Sequence, residues 1–362
     1  MSSLTRLLKI RYPIVQSGMG RVAGPELAAE VSRAGGLGIL AGLNVPPDDL
    51  RAQIRRVREL TDAPFGVNLW LHPQVERPID PARLPSADVA AVNAALNPAR
   101  RAVGVDESDA PPLARPDLLS PAIDVVIDER VPLWSVGLGL PSADLVARCH
   151  AHNVRVMVMV ANVEDARTAE QAGVHVIVAQ GAEAGGHRSI WRADAAADVG
   201  TFSLVPEVVD AVRVPVVAAG GIADGRGLVA ARALGAAGIL LGTRFVATRE
   251  SLAPQFWKQA ILRSGAAATA VTRAFTGLPA RVLRNQFQRE YEASNAPVLP
   301  GLLQAGLEQD IWLAAARANK PDYFPLYAGQ SVGVIHDLPG AAEVVEAIIR
   351  EAEAVMQNLV IG

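Results

Sequence analysis

Two features of this chain combine residue type and spacing suited to chemistry. The first is His187, which ends the segment Gln180-Gly-Ala-Glu-Ala-Gly-Gly-His187. An imidazole titrates near about pH 6.5, so both of its forms are accessible. The neutral ring can remove a carbon-bound proton as a general base, and the imidazolium can stabilise an anionic group. The second feature is a pair of glycine clusters, Ala218-Ala-Gly-Gly-Ile222 and Leu241-Gly-Thr-Arg-Phe245. Glycine lets backbone N–H groups approach an anion closely, and a short helix after it directs its positive end at the same point. Gly220, Gly221, Leu241, Gly242 and Thr243 are therefore candidate phosphate contacts, with the Thr243 hydroxyl as a further donor. One such cluster could simply make a tight turn; two in succession favour phosphate.

Amide side chains supply the next clue. Gln16, Asn68 and Gln180 each stand at the end of an apolar run, and one amide offers both a donor and an acceptor. Such groups can read the polar edge of a flavin ring or its ribityl hydroxyls, or can be internally satisfied buried polar residues. Gln16-Ser-Gly-Met-Gly20 also brings Gly18 and an apolar wall, Met19, to the same place. The other histidines, His72, His150, His152, His175 and His336, read as structural or exposed. Arg188 reads as a solvated surface residue, with electrostatic help to His187 as the alternative. Tyr323 and Tyr327 are candidates to line a substrate pocket or to pack a lobe.

Positioning these groups requires a scaffold. Eight short β-branched runs begin at Pro13, Leu37, Phe65, Leu133, Val154, His175, Pro215 and Gly238. Helical stretches alternate with them: Pro25 opens one, Asp48 to Leu60 forms another, and Val163 to Gly173 ends at a glycine suited to a left-handed cap. Single strands alternating with single helices predict a parallel sheet, and eight units favour a closed (β/α)8 TIM barrel of the α/β class. The glycine clusters then follow the seventh and eighth strands, where such barrels bind phosphate, and His187 leaves the carboxyl end of the sixth, where they place their chemistry.

Two regions break the alternation, Pro73 to Pro121 and Thr248 to Ser331. Segments that long are not simple connections, and at the carboxyl ends of barrel strands they build lids. The predicted division is a barrel from 1–74, 122–247 and 332–362, with a mainly helical lid or substrate lobe from 75–121 and 248–331. The helix Ala341 to Met356 is expected to return and cover the barrel.

Composition narrows the function classes. Net charge is only −3 and the basic residues are scattered, so the stripe needed for nucleic acid is missing. Cys149 is the single cysteine, which excludes an internal disulfide and any multi-cysteine metal site, and no metal is expected. The apolar runs fall well short of the roughly 20 residues of a membrane helix. Charges interrupt the apolar N-terminal run from Met1 to Ile10, so a secretory signal is not expected and the chain reads as cytoplasmic.

At this point the sequence resembles the nitronate monooxygenase family, also called 2-nitropropane dioxygenases, over most of its length. The carriers are Tyr12-Pro-Ile-Val-Gln-Ser-Gly-Met-Gly20, Ala34-Gly-Gly-Leu-Gly38, Val67-Asn68, the segment ending at His187, Ala219-Gly-Gly-Ile222, Gly242-Thr-Arg-Phe245 and Tyr327-Ala-Gly-Gln330. The resemblance implies FMN at the mouth of a TIM barrel, under a second lobe. It implies His187 as the catalytic residue, and Gly18, Met19, Asn68, Gln180, Gly185, Gly220, Gly221, Leu241, Gly242 and Thr243 as cofactor contacts. The implied reaction takes an alkyl nitronate, such as propionate 3-nitronate, through one-electron transfer to FMN and reaction with O2 to a carbonyl compound and nitrite. A homodimer is compatible with it. The sequence departs from the family at Gln-Ser-Gly-Met, where Gln-Ala-Pro-Met is commoner, and in its long first insertion; both bear on substrate identity. Alternatives from the same superfamily are an FMN- and NAD(P)H-dependent enoyl-acyl carrier protein reductase and an NADH:quinone reductase. A non-redox barrel that holds substrate phosphate, and a silent flavin-binding protein, stand further off.

Overall fold

A computed structural model describes residues 2–76, 79–114, 116–190 and 198–359. All eight apolar runs become strands: β1 (Ile14–Gln16), β2 (Gly38–Ala41), β3 (Phe65–Leu71), β4 (Leu133–Gly139), β5 (Arg155–Val160), β6 (Val176–Gln180), β8 (Val216–Ala219) and β9 (Gly238–Leu241). Between β6 and β8 lies a two-residue strand, β7 (Gly186–His187), which belongs to a different sheet. The eight pair in the order β1-β9-β8-β6-β5-β4-β3-β2, all parallel. A parallel bridge from Val15 to Leu37 brings β1 back to the β2 edge. The Gln16 amide fastens the same seam, accepting the Ile39 N–H at 2.9 Å and donating to the Ile39 carbonyl at 3.1 Å. The fold is a (β/α)8 TIM barrel.

Strand alternation divides the core in two. Val176, Val178, Val217, Ala219, Met157, Met159, Val15 and Leu240 form one buried cluster with Leu4, Leu8 and Ile10. Their alternate neighbours Ile177, Ala179, Val216 and Ala218 join the larger cluster that includes the surrounding helices. This is the period of two that a strand buried on both faces imposes. Leu4 and Leu8 come from the short helix Ser3–Leu8, capped by the Ser2 hydroxyl, so the N-terminal run is spent on the barrel interior.

The helices start and stop where local chemistry requires. Pro25–Arg33 and Pro47–Leu60 carry Pro in their first turn, where the missing N–H costs nothing. Asn162 and Asp224 cap the helices Val163–Gln171 and Gly225–Ala233 through their side chains. The C-terminal helix Ala341–Asn358 packs on Gly225–Ala233 and Pro25–Arg33, closing the outer layer. Among the described residues, no helix is long and apolar enough to cross a membrane.

The two insertions meet over the barrel mouth. Helix Ser86–Val103 of the first packs against Leu303–Arg317 and Gln286–Ala293 of the second. Arg100, 2% exposed, ties them: its guanidinium bonds Asp310 at 2.8 Å, the Leu307 carbonyl at 2.8 Å and Asn93 at 3.0 Å. The second insertion also holds an antiparallel hairpin, β10 (Thr269–Thr272) and β11 (Ala280–Leu283). β7 adds to it antiparallel, with His187 opposite Ala280 and Gly186 opposite Arg281. The insertion is thus less purely helical than its sequence suggests, and its sheet reaches down to the barrel's own loop.

Candidate active site

Six residues separate the end of β6 from His187, and the loop is held from several sides. Gln180 spans it from beneath: its amide nitrogen donates to the His187 carbonyl at 3.0 Å and approaches the Met159 sulfur at 3.3 Å, while its oxygen accepts the Ser189 N–H at 2.9 Å. One donor of this amide is therefore spent on the His187 carbonyl and the other faces the Met159 sulfur. From above, β7 pairing and the Arg188 N–H, which donates to the Pro279 carbonyl at 2.9 Å, tie the loop to the hairpin.

Arg188 corrects its sequence reading. It is buried at 3% exposure, and its guanidinium donates to the carbonyls of Gly181 at 2.9 Å and Ala184 at 2.5 Å, closing the loop on itself. A long cation tolerates such burial because those carbonyls replace water. Burial pulls its pKa down to about 10, with Arg281 acting in the same direction and Glu183 and Asp198 opposing.

The His187 ring sits in an aromatic frame. Trp70 from β3 meets it edge-on at 4.8 Å between centroids, and Tyr327 lies tilted at 5.5 Å. Its Nε2 is 2.9 Å from the Thr276 hydroxyl. Burial, then Arg188 and His72, push the imidazole down to about 3, so the ring is neutral at physiological pH. Burial also pushes the Tyr327 phenol well above its usual range, which keeps it protonated. Tyr323 is placed elsewhere: the turn Pro321–Tyr323 packs on the lobe helices Gln286–Ala293 and Leu303–Arg317.

Gly185 and Gly18 are required by close approach within the protein. A side chain at Gly185 would lie 2.4 Å from the Gly329 nitrogen, and one at Gly18 would lie 2.3 Å from the Asn68 Cβ. Asn68 donates from its amide nitrogen to the Ser135 carbonyl at 3.1 Å and hydroxyl at 3.2 Å. Its oxygen accepts no hydrogen bond from the described residues.

The two glycine clusters end adjacent strands, β8 and β9, with Ala219 opposite Leu240. Gly220 and Gly221 adopt φ of 106° and 71°, a region that favours glycine. Among the described hydrogen bonds, the backbone N–H groups of Gly221, Ile222, Gly242 and Thr243 donate to no protein acceptor. The Thr243 hydroxyl accepts the Gly329 N–H at 2.9 Å, which leaves its own proton to give. Around Gly242, a side chain would come no closer than 3.4 Å to the Met19 sulfur. The nearby start of helix Thr201–Ala211 is already satisfied, because the Glu183 carboxylate accepts the Thr201 N–H at 2.9 Å and its hydroxyl at 2.8 Å.

The structure therefore brings His187, Gln180, Gly185, Tyr327 and Thr243 into one connected network, with the β8 and β9 ends beside it. Trp70, Ser189 and Thr276 belong to this network and escaped the sequence reading; His72, read as structural or exposed, bears on His187 through its charge. Trp70 had a signal, since it lies two residues beyond Asn68 on one strand and shares its face. Thr276 had none, being 89 residues from His187.

Comparison with known proteins gives the family. The family model described as nitronate monooxygenase matches residues 1–351. A probable nitronate monooxygenase of Staphylococcus saprophyticus is 36% identical over 98% of both chains, and one of Staphylococcus aureus is 35% identical over the same shares. Among solved structures, nitroalkane oxidase from Streptomyces ansochromogenes superposes with a TM-score of 0.88 at 35% identity, covering 99% of this chain and 100% of that one. FabK from Thermotoga maritima follows at a TM-score of 0.77 and 34% identity, covering 99% and 97%. With the match spanning barrel, His187 loop and lobe together, the chain belongs to the nitronate monooxygenase family and is an oxidoreductase.

Proposed function

We propose that the protein is an FMN-dependent nitronate monooxygenase that oxidises alkyl nitronates, taken up as such or formed from a nitroalkane that His187 deprotonates, with O2 to carbonyl compounds and nitrite. The observation that carries this reading is the His187 ring framed by Trp70 and Tyr327 on a loop beside the β8 and β9 ends, where burial favours its neutral form. A neutral imidazole in an apolar frame is suited to take a proton from the carbon beside a nitro group, and ill suited to serve as a standing cation.

The residues present fit FMN. Unpartnered N–H groups at Gly221, Ile222, Gly242 and Thr243, with the Thr243 hydroxyl, offer donors for its phosphate. The Asn68 oxygen offers an acceptor for the N–H of its pyrimidine ring, and Met19 an apolar wall. When bound, FMN supplies the electron acceptor that nitronate oxidation requires. Gln180, by contrast, is better accounted for as the support of the His187 loop, because its donors are already used.

The test is to release the chromophore by heat, identify it by mass, and measure nitrite and oxygen consumption with propionate 3-nitronate. FMN with nitrite formed as oxygen is consumed supports the reading; a colourless protein, or one inert to nitronates, overturns it. The likeness to FabK favours a second reading, an enoyl reductase, which predicts NAD(P)H oxidation with an enoyl thioester and no nitrite.

A further inference from the structure

The turn between β10 and β11 does more than cover His187. Thr276, 5% exposed, has three polar groups around its hydroxyl oxygen: His187 Nε2 at 2.9 Å, the Leu278 carbonyl oxygen at 3.3 Å and the Leu278 N–H at 3.4 Å. A threonine hydroxyl has one proton and two lone pairs. The Leu278 carbonyl can only accept, and the Leu278 N–H can only donate. If the hydroxyl proton goes to the carbonyl, its two lone pairs take the Leu278 N–H and a proton on Nε2, and every group is satisfied. If the hydroxyl proton goes instead to Nε2, two oxygens confront each other with lone pairs at a buried site, which carries a desolvation cost.

We propose that Thr276 is a positioning residue that holds His187 as the Nε2–H tautomer, leaving Nδ1 as the nitrogen that accepts the substrate's proton. The proposal rests on the reading of His187 as the proton-handling group. In the step it describes, the bond between carbon and hydrogen beside the nitro group breaks, a bond from Nδ1 to that hydrogen forms, and the electron pair stays on the substrate as the nitronate. The resulting imidazolium donates from Nε2 to Thr276 more strongly than the neutral ring does, because charge assists the bond. Burial first, then the charges of Arg188 and His72, disfavour a charge on the ring, so it begins neutral. The hairpin itself is anchored to the loop by β7 pairing and by the Arg188 to Pro279 bond, so loss of one hydroxyl leaves the turn in place.

The experiment is long-range proton–nitrogen NMR of the purified holoenzyme labelled with 15N-histidine, with His187 assigned from His187→Gln, alongside kinetics with nitroethane. The expected result is a single Nε2–H tautomer in the wild type and in Thr276→Ser, and a mixture in Thr276→Val. In Thr276→Val, kcat should fall roughly tenfold or more, with KM changed by less than about twofold. A wild-type Nδ1–H tautomer, or a Thr276→Val spectrum identical to the wild type, would overturn the proposal. A wild-type Nε2–H tautomer together with undiminished nitrite release by His187→Ala would support the tautomer assignment and sink the catalytic reading of His187.

Discussion

The tightest joint between loop and lobe gives a quantitative prediction for Gly185→Ala. The added Cβ would lie 2.4 Å from the Gly329 nitrogen, 2.5 Å from the Ala328 carbonyl carbon and 2.9 Å from the Ala328 Cα. All three are backbone atoms, so no side-chain rotation relieves the overlap. Non-bonded heavy atoms rest about 3.5 Å apart, so one strand of the contact must retreat by about 1 Å. On one side the loop is held by Gln180, Arg188 and the β7 pairing. On the other, Gly329 donates to Thr243 at 2.9 Å and Gln330 to the Glu183 carbonyl at 2.9 Å. Overpacking of this kind costs about 1–3 kcal/mol, and loss of the Gly329 to Thr243 bond adds about 1 kcal/mol. The expected total of roughly 2–4 kcal/mol corresponds to a fall in Tm of several degrees. Because the retreat separates Tyr327 from His187, kcat should fall by roughly 10- to 100-fold. Thermal denaturation and nitrite-release kinetics measure both, with Gly20→Ala as the control, since a side chain there meets nothing within 4 Å. A Gly185→Ala enzyme with wild-type Tm and kcat would refute the close approach.

Other outcomes follow from the same geometry. His187 is held at about 3, so its charge should stay absent between roughly pH 5 and 8 in an NMR titration, and a midpoint near the ordinary value would contradict its burial. With its folded pKa below the unfolded one, the stability tied to its neutrality is present above about pH 6.5 and lost as pH falls from there through the folded value, so His187→Gln should be less sensitive to acid in urea unfolding. Arg188→Met strands the Ala184 carbonyl, leaves the Gly181 carbonyl only the Ala184 N–H, and removes a positive charge that bears on the ring; it should lower stability by about 1–3 kcal/mol and raise the His187 midpoint, and an unmoved midpoint would argue against the coupling. Gly221→Val places a branched side chain at φ 71° beside the free N–H groups, and flavin content per chain should drop; full loading would contradict the phosphate placement.

Much of the barrel was legible because its strands are runs buried on both faces, such as Val176 to Gln180, whose composition admits little else. The His187 loop was legible because glycines in it meet backbone, as at Gly185. The lobe's contribution was not. β10 and β11 lack the continuous apolar run of the barrel strands, and only the pairing of β11 with Gly186 and His187 reveals what the hairpin does. Arg188 was misjudged because charge predicts exposure only when no buried carbonyls are available to it. Gln180 was found, but an amide at a strand end cannot announce whether it faces a ligand or the chain's own backbone.

The central question is whether a nitronate delivers electrons to this protein. Mixing the oxidised holoenzyme with propionate 3-nitronate in the absence of oxygen, and separately with NADPH, tests that directly by visible absorbance. Rapid loss of the oxidised flavin spectrum is expected with the nitronate and none with NADPH. Rapid bleaching by NADPH, with a spectrum unmoved by nitronate, would contradict it.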